Sequence, residues 1–282
     1  MNKKFLTLNW HFINKCNMQC KFCFACKETQ SISYNHDTFL EKCSTVFNRI
    51  NFVGGEPTLF KDLPYLVEKA HALGMETSIV TNGFQAIKGK ISKKLLQTFS
   101  KMKTIGLSVD SLNHTTNTQI GRHVNGKTLT ESEILDFCEK IKKLGIELKI
   151  NTVVNKFNKN EDFNSFITKA KPDRWKIFQV MPINNQYINN NFDISDEEYK
   201  NFLLQHSSFQ KNIFPENNDL IKDSYIMINK DGYFIGTAPY TVKPDQNSLY
   251  KLDTNIIEEL EKMSYDFNKY NTRYEPKISS VV

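Results

Sequence analysis

Cys16, Cys20 and Cys23 stand with three and then two residues between them in KCNMQCKFCFAC, a stretch holding four of the six cysteines in this 282-residue chain. Thiolates this close are soft ligands for a metal centre. Three of them can hold three irons of a cubane [4Fe-4S] cluster and leave the fourth iron without a protein ligand. An open iron can chelate the amino and carboxylate groups of S-adenosylmethionine and deliver an electron to the adjacent sulfonium, which releases a carbon radical. Structural zinc is the competing assignment, because Cys26 with His11 or His36 could complete a set of four ligands.

A second group of residues fits the radical reading. In NFVGGEPTLF, Gly54 and Gly55 allow a close backbone approach, and the Glu56 carboxylate can accept a hydrogen bond from an ammonium group. A plain strand-to-helix turn accounts for the glycines but not for the acid set between glycine and proline. The C-x3-C-x2-C spacing, with Phe22 before its last cysteine, and the GGEP motif together resemble the radical S-adenosylmethionine superfamily. That resemblance implies that GGEP binds the amino group of the cofactor. It also implies that Asn82, Ser108 and Arg122, at or just after strand ends, meet the cofactor's ribose and carboxylate.

Further motifs narrow the resemblance. LNWHFINKCNMQCKFCFACK, RINFVGGEP, SVDS followed by IGR, KINTVVNKFN, PDRWKIFQV and PENNDLIKDSY occur in that order. The chain is similar over about residues 7–235 to the viperin family, including its prokaryotic members. The resemblance implies dehydration of CTP, or of UTP or GTP in some prokaryotic members, to the 3′-deoxy-3′,4′-didehydro nucleotide, a chain terminator used in antiviral defence. The implied cofactors are the [4Fe-4S] cluster and S-adenosylmethionine, with a protein electron donor such as flavodoxin or ferredoxin. Tyr225, in Asp223-Ser224-Tyr225, matches a family tyrosine proposed to lie near the ribose and assist the closing reduction, and Ser224 beside it is a candidate for substrate contact.

The residues also allow a direct reading for such a substrate. A nucleoside triphosphate brings about four negative charges, which a desolvated pocket must meet with cations and directed donors. Arg49, Lys149, Arg174 and Lys176 lie on or beside strands. Lys149 shares a strand face with Asn151, and Arg174 shares one with Lys176, because strand side chains alternate with period two. If those faces point outward, the cations are merely solvated, and another phosphorylated substrate would suit them equally. Asn9 and Asn151 are candidates for the ribose hydroxyls or the base. Contacts around 215–240 are expected to select the base.

These residues must be positioned by a recognisable frame. Six apolar, β-branched runs (5–12, 49–55, 77–82, 103–110, 147–154 and 174–181) alternate with helical segments at 61–74, 92–102 and 129–145. Alternating strands and helices predict an α/β fold with a parallel sheet and right-handed crossovers. The expected form is a partial (β/α)6 barrel, with its site at the C-terminal strand ends. Residues 1–182 are read as the barrel and 183–282 as an extension that covers the mouth and completes the nucleotide pocket. That extension includes a helix capped by Ser195 or Asp196 and a hairpin over 223–236. Cys138 falls at helical spacing with Ile134, Phe137 and Ile141 and reads as core, while Cys26 reads as a bystander.

The composition excludes other classes. With 39% hydrophobic residues, 24% charged and no bilayer-length apolar run, no membrane attachment is expected. Thirty-seven basic against 31 acidic residues, net +6, is too mild an excess for extended nucleic-acid binding. Clustered cysteines and the lack of a signal-peptide core point to the cytoplasm. Three departures from the resembled family stand out. Arg49 replaces its usual lysine, Val53 replaces a frequent serine, and the KISSVV ending lacks the tryptophan by which the animal protein recruits cluster-assembly factors. No amphipathic helix precedes the barrel, so the animal protein's membrane attachment is not expected.

Overall fold

A computed structural model of the chain describes residues 7–23, 35–89, 92–181, 192–236 and 245–272. Cys26 and the KISSVV ending lie outside these residues, as do 183–191, 237–244 and 273–276 of the expected extension.

Six parallel strands form the frame: β1 (Thr7–Ile13), β2 (Arg49–Gly54), β3 (Glu76–Thr81), β4 (Thr104–Ser108), β5 (Glu147–Val154) and β6 (Arg174–Gln179). They agree with the six expected runs to within a few residues. Three more strands follow, β7 (Ile213–Glu216), β8 (Met227–Ile228) and β9 (Phe234–Ile235), and the sheet runs β7-β6-β5-β4-β3-β2-β1-β8-β9. Among the described residues no pairing joins its two outer strands, so the barrel is partial and open. Strands from beyond residue 182 therefore extend both edges of the sheet. β7 was not anticipated, because four residues containing Pro215 carry little strand signal; Pro at an edge costs no ladder bond that a neighbour needs.

The helices are α1 (His36–Val46), α2 (Leu63–Ala72), α3 (Phe84–Lys88), α4 (Lys93–Ser100), α5 (His114–Gln119), α6 (Glu131–Lys143), α7 (Asn164–Ala170), α8 (Asp196–Gln205), α9 (Asn218–Ile221), α10 (Ile256–Glu261) and α11 (Phe267–Thr272). Their ends are written in the sequence. Thr130 and Glu133 form a reciprocal capping box on α6, and Ser195 with Glu198 does the same on α8. Cys138 is buried on α6 beside Ile134, Phe137 and Ile141, as its spacing required. None of the described helices is long and apolar enough to cross a membrane.

Period two separates the two faces of the sheet. Leu8, Trp10, Ile50, Phe52, Ile79, Ile105, Leu148, Ile150, Trp175 and Ile177 are buried outward against the helices. Trp10 packs on Phe39 of α1 with ring centroids 4.6 Å apart. The residues between them, polar for the most part, point into the barrel. The sheet thus has an apolar coat and a polar lumen, and the lumen positions the site. Residues 245–272 pack along the outside: Tyr250 stacks on Phe39, and the Thr7 amide donates to the Tyr270 phenol.

Candidate active site

The lumen is one cavity of about 390 Å³. It runs from the first residues of β2 and β6 to the cysteine loop beyond β1. Cys16, Cys20, Phe22, Cys23, Gly54, Gly55, Asn82, Ser108 and Arg122 line its upper end, and Asn9, Arg49, Lys149, Asn151, Arg174, Lys176 and Tyr225 line the rest. Two expected residues are not on its wall. The Ser224 hydroxyl is buried and donates to the Ile221 carbonyl at 2.9 Å. Glu56 lies beneath the wall, fully buried, and its carboxylate accepts from the amides of Thr58 and Asn82 and from the hydroxyls of Thr58 and Thr81, at 2.6–3.0 Å. It ties the end of β2 to the end of β3.

The glycines also hold the cysteine loop in place. The Gly55 amide donates to the Ile13 carbonyl, and the Glu56 amide to Lys15 at 2.9 Å. A Cβ on Gly55 would sit 2.2 Å from the Lys15 carbonyl oxygen. On the other side of the loop, a Cβ on Gly121, at φ +81°, would sit 2.1 Å from the Gln19 carbonyl oxygen. Gly55 and Gly121 therefore admit the backbone of the cysteine loop itself, which is clasped between β2 and the turn after α5.

Donors converge on the sulfurs. The Met18 amide lies 3.4 Å from Cys16 Sγ and Asn82 Nδ2 3.8 Å from it, and Arg122 Nη1 is 3.6 Å from Cys20 Sγ. Arg122 is held by Asp110, 3.0 Å from its Nε, and by the Ser108 carbonyl. Burial opposes its charge, but Asp110 and Cys20 outweigh burial and raise its pKa. Hydrogen-bond donors aimed at the sulfurs, one of them a guanidinium, suit a cluster bound by Cys16, Cys20 and Cys23. Among the described residues no three His, Cys or acidic side chains converge as one metal ion requires. A cubane takes each thiolate on a separate iron, so it makes no such demand. Asn151 Oδ1, also on the wall, is buried without a hydrogen-bond partner, and a buried acceptor of this kind calls for a ligand.

Deeper in the lumen the cations meet carboxylates that went unrecognised in the sequence. Arg49 Nε is 2.6 Å from Glu76, Arg174 Nε is 2.6 Å from Glu147, and Lys176 pairs with Glu216. Glu216 also accepts from the Tyr225 phenol, to which Lys176 donates at 3.0 Å. The cost of pointing cations into a barrel is thus met partly by protein acids. Glu147 stands two residues before Lys149, so period two could have found it. Glu216 required the unanticipated β7.

The remaining wall is a polar ladder. Strand register sets Asn9 beside Asn51, Asn51 beside Ser78, Ser78 beside Thr104 and Thr104 beside Glu147. Asn51 donates to Asn9 at 2.9 Å, and Ser78 donates to Asn51 at 2.9 Å. His11, weighed only as a zinc ligand in the sequence, lines the lumen, and burial lowers its pKa to about 4. It is a neutral imidazole at physiological pH. Gly106 on β4 leaves space for Lys149: a Cβ there would lie 2.7 Å from Lys149 Cε.

Comparison with known proteins agrees with this geometry. A family model described as the Radical SAM superfamily matches residues 10–170. A protein of Lacinutrix mariniflava named S-adenosylmethionine-dependent nucleotide dehydratase is 41% identical over 96% of this chain; the chain spans only 58% of that relative's length. A protein of the same name from Flammeovirga pacifica is 36% identical over 95% of this chain and 93% of its own. Among solved structures, Streptococcus suis SuiB bound to S-adenosylmethionine superposes with a TM-score of 0.69 at 17% identity, covering 96% of this chain and 68% of that one. At that identity the likeness concerns the fold.

Proposed function

The chain belongs to the radical S-adenosylmethionine superfamily and, within it, to the S-adenosylmethionine-dependent nucleotide dehydratases, and from that premise we propose that it removes water from a ribonucleoside triphosphate. The family uses a [4Fe-4S] cluster with S-adenosylmethionine, which together supply a hydrogen-abstracting carbon radical when bound. CTP is the leading substrate, with UTP and GTP next, and the product is the 3′-deoxy-3′,4′-didehydro nucleotide, a chain terminator in antiviral defence. The observation that carries this reading is a single lumen with the cysteine loop at one end and basic side chains, Arg49, Lys149, Arg174 and Lys176 among them, along its depth.

Cys16, Cys20 and Cys23 would hold the cluster, each on its own iron. The Arg122 guanidinium and the Asn82 amide direct donors at the loop and at the cofactor's carboxylate, and the backbone of Gly54 and Gly55 faces its amino group. Arg49, Lys149, Arg174 and Lys176 neutralise the triphosphate, while Asn9, Asn151 and neutral His11 offer hydrogen bonds to ribose or base. The ribose loses its 4′-hydrogen and then its 3′-hydroxyl, which leaves as water. Tyr225, held by Glu216 and Lys176, faces the lumen where the closing electron and proton are needed. A cytoplasmic electron donor of the flavodoxin or ferredoxin class supplies the reducing equivalents, and residues beyond 182, Tyr225 among them, complete the pocket.

The test is to reduce the cluster-loaded enzyme with dithionite and incubate it with CTP, UTP and GTP separately. 5′-Deoxyadenosine should rise at least several-fold with one nucleotide over the nucleotide-free control, together with a product ~18 Da lighter than that nucleotide, as loss of one water requires. Cys20→Ala should abolish both products. Cofactor cleavage that is indifferent to all three nucleotides would overturn the reading.

A further inference from the structure

Two of the basic side chains in the lumen do not act with their full charge. Glu147 binds the Nε edge of Arg174 at 2.6 Å, and Glu76 binds the Nε edge of Arg49 at 2.6 Å. Both acids line the same cavity as their partners. Glu147 is fixed from its other side, where the Thr104 hydroxyl donates to Oε2 at 2.9 Å from the neighbouring strand. Its side chain is 19% exposed against 46% for Glu76, so solvent screens it less. Glu216, the third acid, lies off the cavity wall between Lys176 and Tyr225 and has a different setting.

We propose that Glu147, seconded by Glu76, is a specificity-determining residue that limits how tightly this enzyme holds the phosphates of its substrate. The inference rests on the nucleoside triphosphate reading above. A phosphate drawn to Arg174 must approach a fixed carboxylate that shares the same guanidinium. Like charges a few ångströms beyond contact repel strongly in a partly desolvated cavity. The site is thereby kept from binding every polyphosphate at full strength, and the ribose and base retain a larger share of the selection. A purely structural role makes the opposite prediction: without Glu147, Arg174 would lose its orientation and phosphate binding would weaken.

The experiment is calorimetric titration of the full-length, cluster-loaded protein, unreduced, with CTP, UTP and GTP, and with cytidine as the phosphate-free control. Expected is that Arg174→Met weakens the best triphosphate, Glu147→Gln tightens it by about tenfold, and Glu76→Gln tightens it by about threefold. Cytidine binding should be unmoved by both acid-to-amide variants. Thermal unfolding and iron content identify a variant that has failed to fold, and Glu76→Gln then carries the test. If the wild type binds a triphosphate and Arg174→Met weakens it while the amide variants bind no better or worse, the proposal is wrong and the nucleotide reading stands. If no triphosphate binds the wild type, both fall.

Discussion

The two ends of the lumen are built by opposite means. The upper end is a matter of backbone: the cysteine loop is clasped by amides and carbonyls of Gly55, Glu56, Ile120 and Gly121, and at Gly55 and Gly121 even a Cβ is excluded. The lower end is a matter of side chains: cations and acids from separate strands pair across the sheet, with Lys149 given room by Gly106. A backbone seam leaves no room for a side chain at its glycines but leaves a compact motif in the sequence. A side-chain lining tolerates adjustment, and its members are scattered over more than a hundred positions. Rigidity where the radical arises and adjustable charge where the substrate binds is the division of labour this implies.

If the contrast is right, the largest effect comes from the seam. Gly55→Ala should cost about 3 kcal/mol or more, because its Cβ would meet backbone that cannot rotate away. Iron content after reconstitution and urea unfolding measure it; a variant that loads a full cluster at wild-type stability would break the comparison at its stronger end.

A smaller effect belongs to the middle of the lumen. His11 has its pKa lowered to about 4 by burial, so the folded state binds fewer protons than the unfolded one near pH 5. A depressed histidine contributes nothing above its unfolded pKa of about 6.5 and opposes folding increasingly as pH falls towards 4, by about 3 kcal/mol in full. His11→Asn should therefore lose less stability than wild type between pH 7 and pH 4.5, as read by denaturant unfolding at each pH. Parallel losses in the two proteins would remove His11 from the account.

The smallest effect tests the adjustable end. Gly106→Ala brings a methyl closest to the flexible tip of Lys149, at 2.7 Å, with the Ile79 carbonyl oxygen farther off at 3.3 Å. Stability should change by less than about 1 kcal/mol, while triphosphate affinity falls about threefold as Lys149 is displaced. Destabilisation as large as that of Gly55→Ala would show that the lower wall is as rigid as the upper.

The same contrast explains what could be read in advance. The six strands, the cap residues Thr130 and Ser195, and the core position of Cys138 follow from periodicity and local chemistry. Cys16, Cys20, Cys23 and GGEP were legible because they are contiguous. Glu76, Glu147 and Glu216 were not, because their importance lies in which strand neighbours which: Glu147 meets Arg174 only once β5 and β6 are aligned. Glu56 and Ser224 stand next to the wall in sequence, yet a turn of the backbone buries each behind it.

The two sheet edges carry a consequence for synthesis. The six parallel strands are complete by residue 179, yet β7 and the β8–β9 hairpin, which cover the outer strands, arrive only over residues 213–235. While the ribosome makes those last strands, β1 and β6 present unpaired amides and carbonyls to the crowded cell. The nascent chain is then most prone to mispair with its neighbours, and it is the late strands that end this vulnerability.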